Sequence, residues 1–398
     1  MSLDHPPPLD LAALSGGLPS TDGPQPLLSA KYPSAIGAWV AEMAYGVARP
    51  IHTALEREMG AGTLGYNDPV SIGRARESVV RRMGDTYGWT VRPESIGFVS
   101  DIVTGFGAVL RHFLPQASTI VVPTPAYTPF LTVPRLFGHQ VAEVPGLIGE
   151  TGHRMDLAGI EAALSRGARM VVLCNPHNPT GRVFLAEELS DLAALVDAYG
   201  ARVFSDEVHA PLTLTDAPHL PYAGLGEIAA GHTITATSAS KGWNTAGLKC
   251  AQLIFSAPAD LRLWQGIADF YLRSVSRLGV AALCAAYDEP ESQQWLTTVR
   301  DRLARNNALV GETLAERLPQ VLSYPAEATY LAWLDCRRLG VDEPAAFFRE
   351  HAGLAMSDGT EFSAPGHLRL NFALPEGVLH RALSALVRGA DLLQSGKR

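Results

Sequence analysis

The sequence predicts an α/β fold, with a mainly parallel central sheet in a large domain and a smaller α+β domain near the C-terminus. Three observations support this prediction. Short apolar, β-branched runs alternate with helical segments between about residues 95 and 255. Polar clusters follow several of these runs, and ligands of parallel sheets bind at the carboxyl ends of the strands. Beyond about residue 290 the alternation gives way to long helical stretches around two short strands.

The first elements precede the alternating region. Residues 1–34 are rich in Pro, Gly and Ser, which predicts an irregular arm. A short helix is expected over 51–59, followed by a glycine-rich loop over 60–69 that carries Tyr66. Apolar residues then recur at helical spacing over 71–87, which predicts an amphipathic helix.

The alternating region predicts strands and helices in turn. We expect helices over 105–113 and 186–199, and strands over 95–100, 118–122, 169–174, 201–205, 233–237 and 252–255. Pro123 and Pro125 set the end of the second strand, because proline cannot donate to a strand ladder. Strands separated by helices are typical of a parallel sheet that is covered on both faces.

The C-terminal part predicts a different arrangement: a long helix over 294–317, strands over 329–335 and 368–372, and a closing helix over 378–393. From this change we expect three parts. Residues 1–55 would form the N-terminal arm and part of the small domain. Residues 56–289 would form the large, ligand-binding domain, and residues 290–398 the C-terminal small domain.

The composition excludes several classes of protein. The net charge is −8 and no block of like charges occurs, so nucleic acid and anionic membrane surfaces are not expected partners. No apolar run approaches the roughly 20 residues of a transmembrane helix. Residues 1–8 lack the pattern of a signal peptide. The four cysteines are far apart and form no CxxC pair, which predicts free thiols in a reducing cytoplasm.

Lys241 is the first candidate for chemistry. It ends the run Thr-Ser-Ala-Ser-Lys over 237–241, directly after a predicted strand. Hydroxyl and backbone N–H groups at such a position hold a phosphate, and a lysine amine condenses with a carbonyl to form a Schiff base. Pyridoxal phosphate carries both groups. Taken alone, a solvated surface lysine is the simpler interpretation, but four other segments supply the remaining parts of one site.

Asp206 ends another predicted strand, in the segment SDEVH over 205–209. An unpaired buried carboxylate is costly, and a protonated pyridine nitrogen would pair with it and keep the ring an electron sink. A helix N-cap is the alternative for Asp206. A metal site of Asp206, Glu207 and His209 is disfavoured, because the spacing matches no standard zinc motif.

The other segments supply polar and aromatic groups. Asn178, in a proline-stiffened loop, is the candidate donor to a phenolate oxygen, although a plain turn is the alternative. Tyr127 follows a strand and can stack on a flat cofactor. Thr104 and Gly105 open a helix whose N–H groups suit a phosphate. Arg369, in an otherwise apolar strand, either clamps a carboxylate or forms a structural ion pair.

Together these residues resemble the fold type I pyridoxal-phosphate enzymes of the class I/II aminotransferase family, over nearly the whole chain. Within that family the chain is most similar to the cystathionine β-lyase or C–S lyase branch. The segments that resemble motifs of that branch are AWVAEM over 38–43, NPHNPTGRV over 175–183, SDEVH over 205–209, SASKGWNTAGLK over 238–249 and TYLAWLD over 329–335.

The resemblance implies roles at the cofactor. Lys241 would form the Schiff base, Asp206 would pair with the ring nitrogen, and Asn178 would bond the phenolic oxygen. Tyr127 would stack on the ring. His209 occupies the place of a tyrosine beside the phenolic oxygen in aminotransferases, which favours the lyase branch.

The resemblance also implies a phosphate site, a substrate site and a homodimer. The phosphate would be held by Ser238, Lys249 and the helix start at Thr104 and Gly105. Tyr66 would reach the phosphate of the other subunit, and it joins Lys241 and Asp206 as an implied catalytic residue. Arg369 would bind the α-carboxylate of an amino acid.

The implied reaction is β-elimination of a cysteine thioether, an S-conjugate or a cystathionine-like compound, to a thiol, pyruvate and ammonia. Lys241 would be the general base at Cα. Transamination and decarboxylation-coupled oxidative deamination of an S-cysteinyl natural-product intermediate remain open alternatives. So do a regulatory binding module on the same fold and a nicotinamide dehydrogenase.

The chain departs from the branch pattern near the site. Glu42 and Ala44 stand where the N-terminal segment usually has two aspartates, which we expect to reshape the entrance. Gly242 and Trp243 replace the usual pair after the lysine, and we expect them to leave space beside the Schiff base.

Overall fold

The computed structural model describes residues 31–32, 34–62, 64–149, 152–215 and 219–394. Its centre is a seven-stranded sheet. In spatial order, the strands are Ile96–Val99, Ala251–Phe255, Thr233–Thr237, Arg202–Asp206, Met170–Cys174, Thr119–Thr124 and Gln140–Pro145. Ala251–Phe255 runs antiparallel to both of its neighbours, and the other pairings are parallel. The predicted α/β fold with a mainly parallel sheet is confirmed. The arm predicted over 1–34 lies almost wholly outside the described residues.

Helices surround this sheet and continue beyond it. The α-helices are Arg49–Gly60, Pro69–Tyr87, Ile102–Phe113, Thr128–Leu136, Leu157–Ser165, Ala186–Ala198, Glu227–His232, Ala239–Gly242, Pro258–Gln265, Ala268–Leu272, Arg277–Asp288, Pro290–Arg317, Pro344–Ala352 and Glu376–Gln394. Aspartates cap the start of three of them, since Asp68 accepts hydrogen bonds from the Val70 and Ser71 amides, Asp101 from the Thr104 amide and Asp156 from the Gly159 amide.

The strand predicted to end at Val122 continues to Thr124, so that prediction was wrong by two residues. Beyond Val121 this strand pairs only with Gln140–Pro145, because its ladder with the strand on the other side stops there. Pro123 therefore needs to donate no ladder hydrogen bond on that side.

The register of the parallel strands brings three motifs together. Cys174 lies opposite Asp206, and Asp206 lies opposite Ala236. The loops that follow these positions begin the segments NPHNPTG, DEVH and SASK. Because carboxyl ends of parallel strands share one edge, the candidate side chains of all three segments lie at that edge.

A three-stranded antiparallel sheet lies in the C-terminal part, in the order Leu331–Asp335, His367–Asn371, Ser357–Asp358. The strand Ile36–Gly37 pairs in parallel with Leu354–Ala355, which attaches the N-terminal segment to this C-terminal part of the chain. One buried apolar cluster contains residues on both sides of position 290, so the domain boundaries stay a prediction. Among the described residues, no helix combines the length and the apolar character that crossing a bilayer requires.

Candidate active site

Lys241 lies in the short helix Ala239–Gly242 that follows the strand Thr233–Thr237. Its Nζ donates a 2.8 Å hydrogen bond to the carbonyl oxygen of Ala41, which is 200 residues away in sequence. Burial and then the Arg369 guanidinium lower the pKa of Lys241 to about 8, while Glu42 and Asp206 act in the opposite direction. A lysine with such a pKa is partly neutral near physiological pH, as a nucleophile or base must be.

Asp206 is 4% exposed at the end of its strand. Its Oδ1 accepts a 3.1 Å hydrogen bond from the Val208 amide, and no ion pair reaches its carboxyl group within the described part of the chain. Burial raises the pKa of Asp206 to about 7, against the opposing effects of the Val208 amide and Lys241. The site thus contains a buried acid that lacks a cationic partner.

The neighbouring Glu207 belongs to a separate buried network. Its carboxylate accepts hydrogen bonds from Ser205 Oγ at 2.8 Å, His219 Nε2 at 2.9 Å and the Tyr222 amide at 3.0 Å. These bonds anchor the strand end that carries Asp206. Both carboxylate oxygens of Glu207 are thus already occupied by hydrogen bonds to residues other than His209.

Arg369 is buried in the strand His367–Asn371, opposite Ser357 and Trp333. Its guanidinium donates to three neutral acceptors, which are Asn178 Oδ1 at 2.9 Å, the Trp39 carbonyl at 2.9 Å and Ser357 Oγ at 3.2 Å. Its Nε has no partner. No carboxylate lies within ion-pair distance of Arg369 in the described ranges, so the structural ion pair considered from sequence is not what holds it.

The N-terminal segment 39–43 crosses the site, and its backbone carbonyls satisfy the surrounding polar side chains. These pairs are Trp39 with Arg369 and Ser357, Val40 and Glu42 with Asn371, Ala41 with Lys241 and Tyr330, and Met43 with Asn244. The distances lie between 2.6 and 2.9 Å. Sequence reasoning linked this segment to the family but missed these contacts, because a carbonyl carries no signature of residue type.

His209 and Tyr127 are both within electrostatic reach of Arg369. His209 is 2% exposed, its Nδ1 has no partner, and its ring centroid is 6.0 Å from that of Tyr330. Burial, with Lys241 and Arg369, holds the pKa of His209 well below its usual range, so the ring is neutral. Tyr127 precedes the helix Thr128–Leu136, and burial with nearby Asp206 raises the pKa of its phenol.

The predicted phosphate residues gather around Asp101. Its carboxylate accepts from the Thr104 amide at 2.7 Å and from Lys249 Nζ at 3.1 Å, and its carbonyl accepts from the Gly105 amide at 2.9 Å. The free donors of this helix start are instead the amides of Ile102 and Val103, which have no hydrogen-bond partner among the described residues. Unpaired amides are normal in a first helical turn, whereas the amides of Thr104 and Gly105, the residues named from sequence, already donate to Asp101.

Ser238 and Tyr66, the other two residues predicted to contact a phosphate, make no hydrogen bond to Asp101. The Ser238 hydroxyl donates to the Cys250 carbonyl at 2.9 Å and accepts from the Ser240 amide at 3.1 Å, so it supports the loop of Lys241. Tyr66 is 78% exposed, and its carbonyl accepts from Arg277 at 3.5 Å. Within the described chain, Tyr66 is not brought to Lys241, Asp206 or Arg369.

The space expected beside Lys241 is not present, so that expectation was wrong. A Cβ at Gly242 would lie 2.9 Å from the Cβ of Pro211, so proline fills the space that glycine leaves. Trp243 is fully buried and donates from Nε1 to the Ser292 carbonyl at 3.1 Å. Gly242 and Trp243 therefore change the packing that supports the loop of Lys241, and they do not enlarge the site.

Comparison with known proteins identifies the class. The family described as aminotransferase class I and II matches residues 41–386. The cystathionine beta-lyase of Corynebacterium glutamicum is 35% identical over 87% of this chain and 91% of its own length. The cystathionine beta-lyase PatB of Bacillus subtilis is 30% identical over 85% and 88%. The PLP-bound C-S lyase of Staphylococcus hominis is 26% identical, with a TM-score of 0.84, over 91% of this chain and 93% of that one.

This chain therefore belongs to the aminotransferase class I and II family, whose members are pyridoxal-phosphate enzymes of fold type I. The resemblance seen in the sequence is confirmed, including the similarity to the cystathionine β-lyase and C–S lyase branch.

Proposed function

We propose that this chain is a pyridoxal-phosphate-dependent C–S β-lyase. It would convert a cysteine thioether, an S-conjugate or a cystathionine-like compound, to a thiol, pyruvate and ammonia. One observation carries the proposal. A lysine amine with a pKa of about 8 is within electrostatic reach of the Arg369 guanidinium and of the Asp206 carboxyl group, and neither has an ion-pair partner in the described part of this relative of cystathionine β-lyases.

The groups present suit pyridoxal phosphate, which is the cofactor. The unpaired Asp206 matches its cationic ring nitrogen, and an ionised Asp206 would be stabilised there. The free amides of Ile102 and Val103, with Lys249 beside them, match its phosphate. Asn178, Tyr127 and the neutral His209 would contact the ring and its phenolic oxygen, with Ser238 supporting the loop.

The residues of the site would then have separate roles in the reaction. Pyridoxal phosphate, when bound, supplies an electron sink for the charge left at Cα. Arg369 would exchange a neutral acceptor for the substrate α-carboxylate and orient the Cα–H bond. The neutral Lys241 amine would take the Cα proton. The C–S bond breaks with its electron pair on sulfur, and the released enamine takes up water to give pyruvate and ammonia.

A homodimer that shares its sites is part of the same proposal. Tyr66 and three neighbouring apolar side chains are exposed, namely Met59, Leu64 and Val70. Such a patch favours a protein partner, and a second copy would bring Tyr66 to the phosphate of the other site. The cytoplasmic location also belongs here, supported by four free cysteines, Cys174, Cys250, Cys284 and Cys336.

The activity test uses the holoenzyme with a series of S-substituted cysteines. Pyruvate and free thiol should appear together in equal amounts, without an added keto acid and without oxygen consumption. A strict requirement for a keto acid would identify an aminotransferase, and oxygen uptake would identify oxidative deamination. The absence of both products for every thioether would overturn the proposal.

The shared-site test mixes two inactive variants. Tyr66→Ala and Lys241→Ala subunits, combined in equal amounts and allowed to exchange, should form hybrid dimers with one intact site. About a quarter of the wild-type activity should return, because half of the dimers are hybrids and each has one working site. No recovery in mixtures that exchange subunits would exclude a Tyr66 role across the interface.

A further inference from the structure

Glu42 presents a carboxylate at the active site that the reaction described above does not use. Its side chain is partly exposed and has no hydrogen-bond or ion-pair partner among the described residues. Its backbone is fixed, because its carbonyl accepts from Asn371 Nδ2 at 2.6 Å and its amide donates to Val40 at 3.0 Å. The preceding carbonyl, of Ala41, is 2.8 Å from both Lys241 Nζ and the Tyr330 hydroxyl.

The Glu42 carboxylate is close enough to act on the reacting groups. It works against the burial and the Arg369 charge that lower the pKa of Lys241. With burial, it raises the pKa of the Tyr330 phenol, against the effect of Arg369. This anion therefore lies within electrostatic reach of the amine that would act at Cα.

The charges of the assembled site leave Glu42 without a partner. Asp206 would be matched by the ring nitrogen, and Arg369 by the substrate α-carboxylate. Lys249 already pairs with Asp101. Lys241 is no lasting partner, since its amine must be neutral to take a proton. Of the parts of the substrate, the group attached to sulfur is the one for which no partner has been named.

We propose that Glu42 selects substrates by the charge of that group, and favours a sulfur substituent that ends in an ammonium over a neutral one of the same shape. The inference rests on the proposed function, because it takes Arg369 as the α-carboxylate site. The Trp39 carbonyl contacts Arg369 and the Ala41 carbonyl contacts Lys241, so Glu42 comes next along the segment that passes both groups that would hold the substrate.

A binding experiment tests this without turnover. The ligands are S-(2-aminoethyl)-α-methylcysteine and its neutral counterpart S-propyl-α-methylcysteine, which lack a Cα–H bond and cannot be eliminated. We expect the wild-type holoenzyme to bind the aminoethyl compound about tenfold more tightly in calorimetric titrations. In Glu42→Gln this ratio should fall to about one, with the Kd of the propyl compound unchanged.

Glu361→Gln is the matched control. Glu361 is exposed and also acts on Arg369, whose pKa it raises. Removing its charge should change the affinity for both ligands alike and keep their ratio. A wild-type ratio near one, a ratio retained in Glu42→Gln, or a ratio lost only in Glu361→Gln would overturn the inference.

Turnover of the unmethylated pair separates this inference from the proposed function. If S-(2-aminoethyl)cysteine and S-propylcysteine yield no pyruvate while the methylated ligands keep their Glu42-dependent ratio, the lyase proposal fails and charge selection stands. If both compounds are cleaved, and Glu42→Gln has the same kcat/KM as the wild type for each of them, charge selection fails and the lyase proposal stands.

Discussion

Asp206 and Arg369, which both act electrostatically on Lys241, are satisfied in opposite ways. Asp206, at the end of a strand of the large sheet, has one hydrogen bond to its carboxyl group and a pKa raised to about 7. Arg369, in the small sheet, makes three hydrogen bonds, all to neutral acceptors. On the proposed function, the cofactor side would thus be incomplete until a cation binds at Asp206, whereas Arg369 on the substrate side would exchange one hydrogen-bond partner for another.

Replacing Lys241, on which both groups act electrostatically, should have the largest effect. We expect Lys241→Ala to lose at least about 10⁴-fold in pyruvate formation, because on the proposed function the amine would serve as both attachment point and base. The visible absorption band of the bound cofactor should also vanish. Lys31→Ala, on the surface, is the control, and a Lys241→Ala protein that keeps the band would contradict the assignment.

Asp206→Asn tests the cofactor side of this comparison. On the proposed function this acid would keep the ring nitrogen protonated, so its removal should lower kcat by about 10³-fold. Without cofactor the same change should stabilise the protein at neutral pH. The folded pKa of Asp206 is raised, so wild-type stability falls as the pH rises from about 4 to about 7, and an amide does not titrate.

Chemical denaturation of the cofactor-free proteins checks that stability effect. The gain of Asp206→Asn over wild type should grow by up to about 1.4 kcal/mol per pH unit across this window and then level off. A gain that stays constant with pH would show that burial does not perturb Asp206.

Arg369→Lys tests the substrate side. A lysine keeps the charge but lacks the flat, forked donor set, so KM should rise about 10²-fold while kcat changes little. The matched control is Arg49→Lys, at an exposed ion pair with Glu291, which should leave KM unchanged. A fall in kcat at constant KM would instead place Arg369 at the reacting atoms.

The pKa of Lys241 predicts a pH profile for cofactor uptake by the cofactor-free protein. The neutral amine attacks the aldehyde, so the rate should rise about tenfold from pH 7 to 9, with a midpoint near 8. Glu42→Gln should shift that midpoint to lower pH, because Glu42 raises the pKa of Lys241. A midpoint above 10 in stopped-flow absorbance would mean that the lysine is unperturbed.

Ser357→Ala should produce the smallest effect. Its hydroxyl joins Arg369 to the Trp39 carbonyl, with distances of 3.2 and 2.7 Å. Losing it should raise KM about threefold to tenfold, which is the usual worth of one hydrogen bond. Ser165→Ala, remote from the site, should have no effect, and an equal loss in both variants would point to stability alone.

Residue type explains which parts were predictable. The sheet and the candidates Lys241, Asp206 and Asn178 follow from strong strand patterns with polar residues after them, and Arg369 stands out as a charge inside an apolar strand. The helix Arg277–Asp288 was missed because it is apolar around most of its surface and shows little periodicity. The edge strand Gln140–Pro145 was missed because its pattern is mixed.

The site details that escaped sequence reasoning depend on the backbone. The amides of Ile102 and Val103 and the carbonyls of segment 39–43 contribute the same atoms whatever their side chains. Similarly, Gly242 suggested free space until its proximity to Pro211 was known. Such contacts depend on tertiary geometry, which a single sequence does not encode locally.

Segment 39–43 contacts Arg369 and Lys241 through main-chain oxygens, which has an evolutionary consequence. The side chains of Glu42 and of the adjacent Ala44 are partly exposed and can be replaced without changing these contacts, whereas Met43 is buried in the core. Positions 42 and 44 are therefore where a randomised library should find altered thioether preferences at little cost in folding, and where natural specialisation within this enzyme group would be easiest.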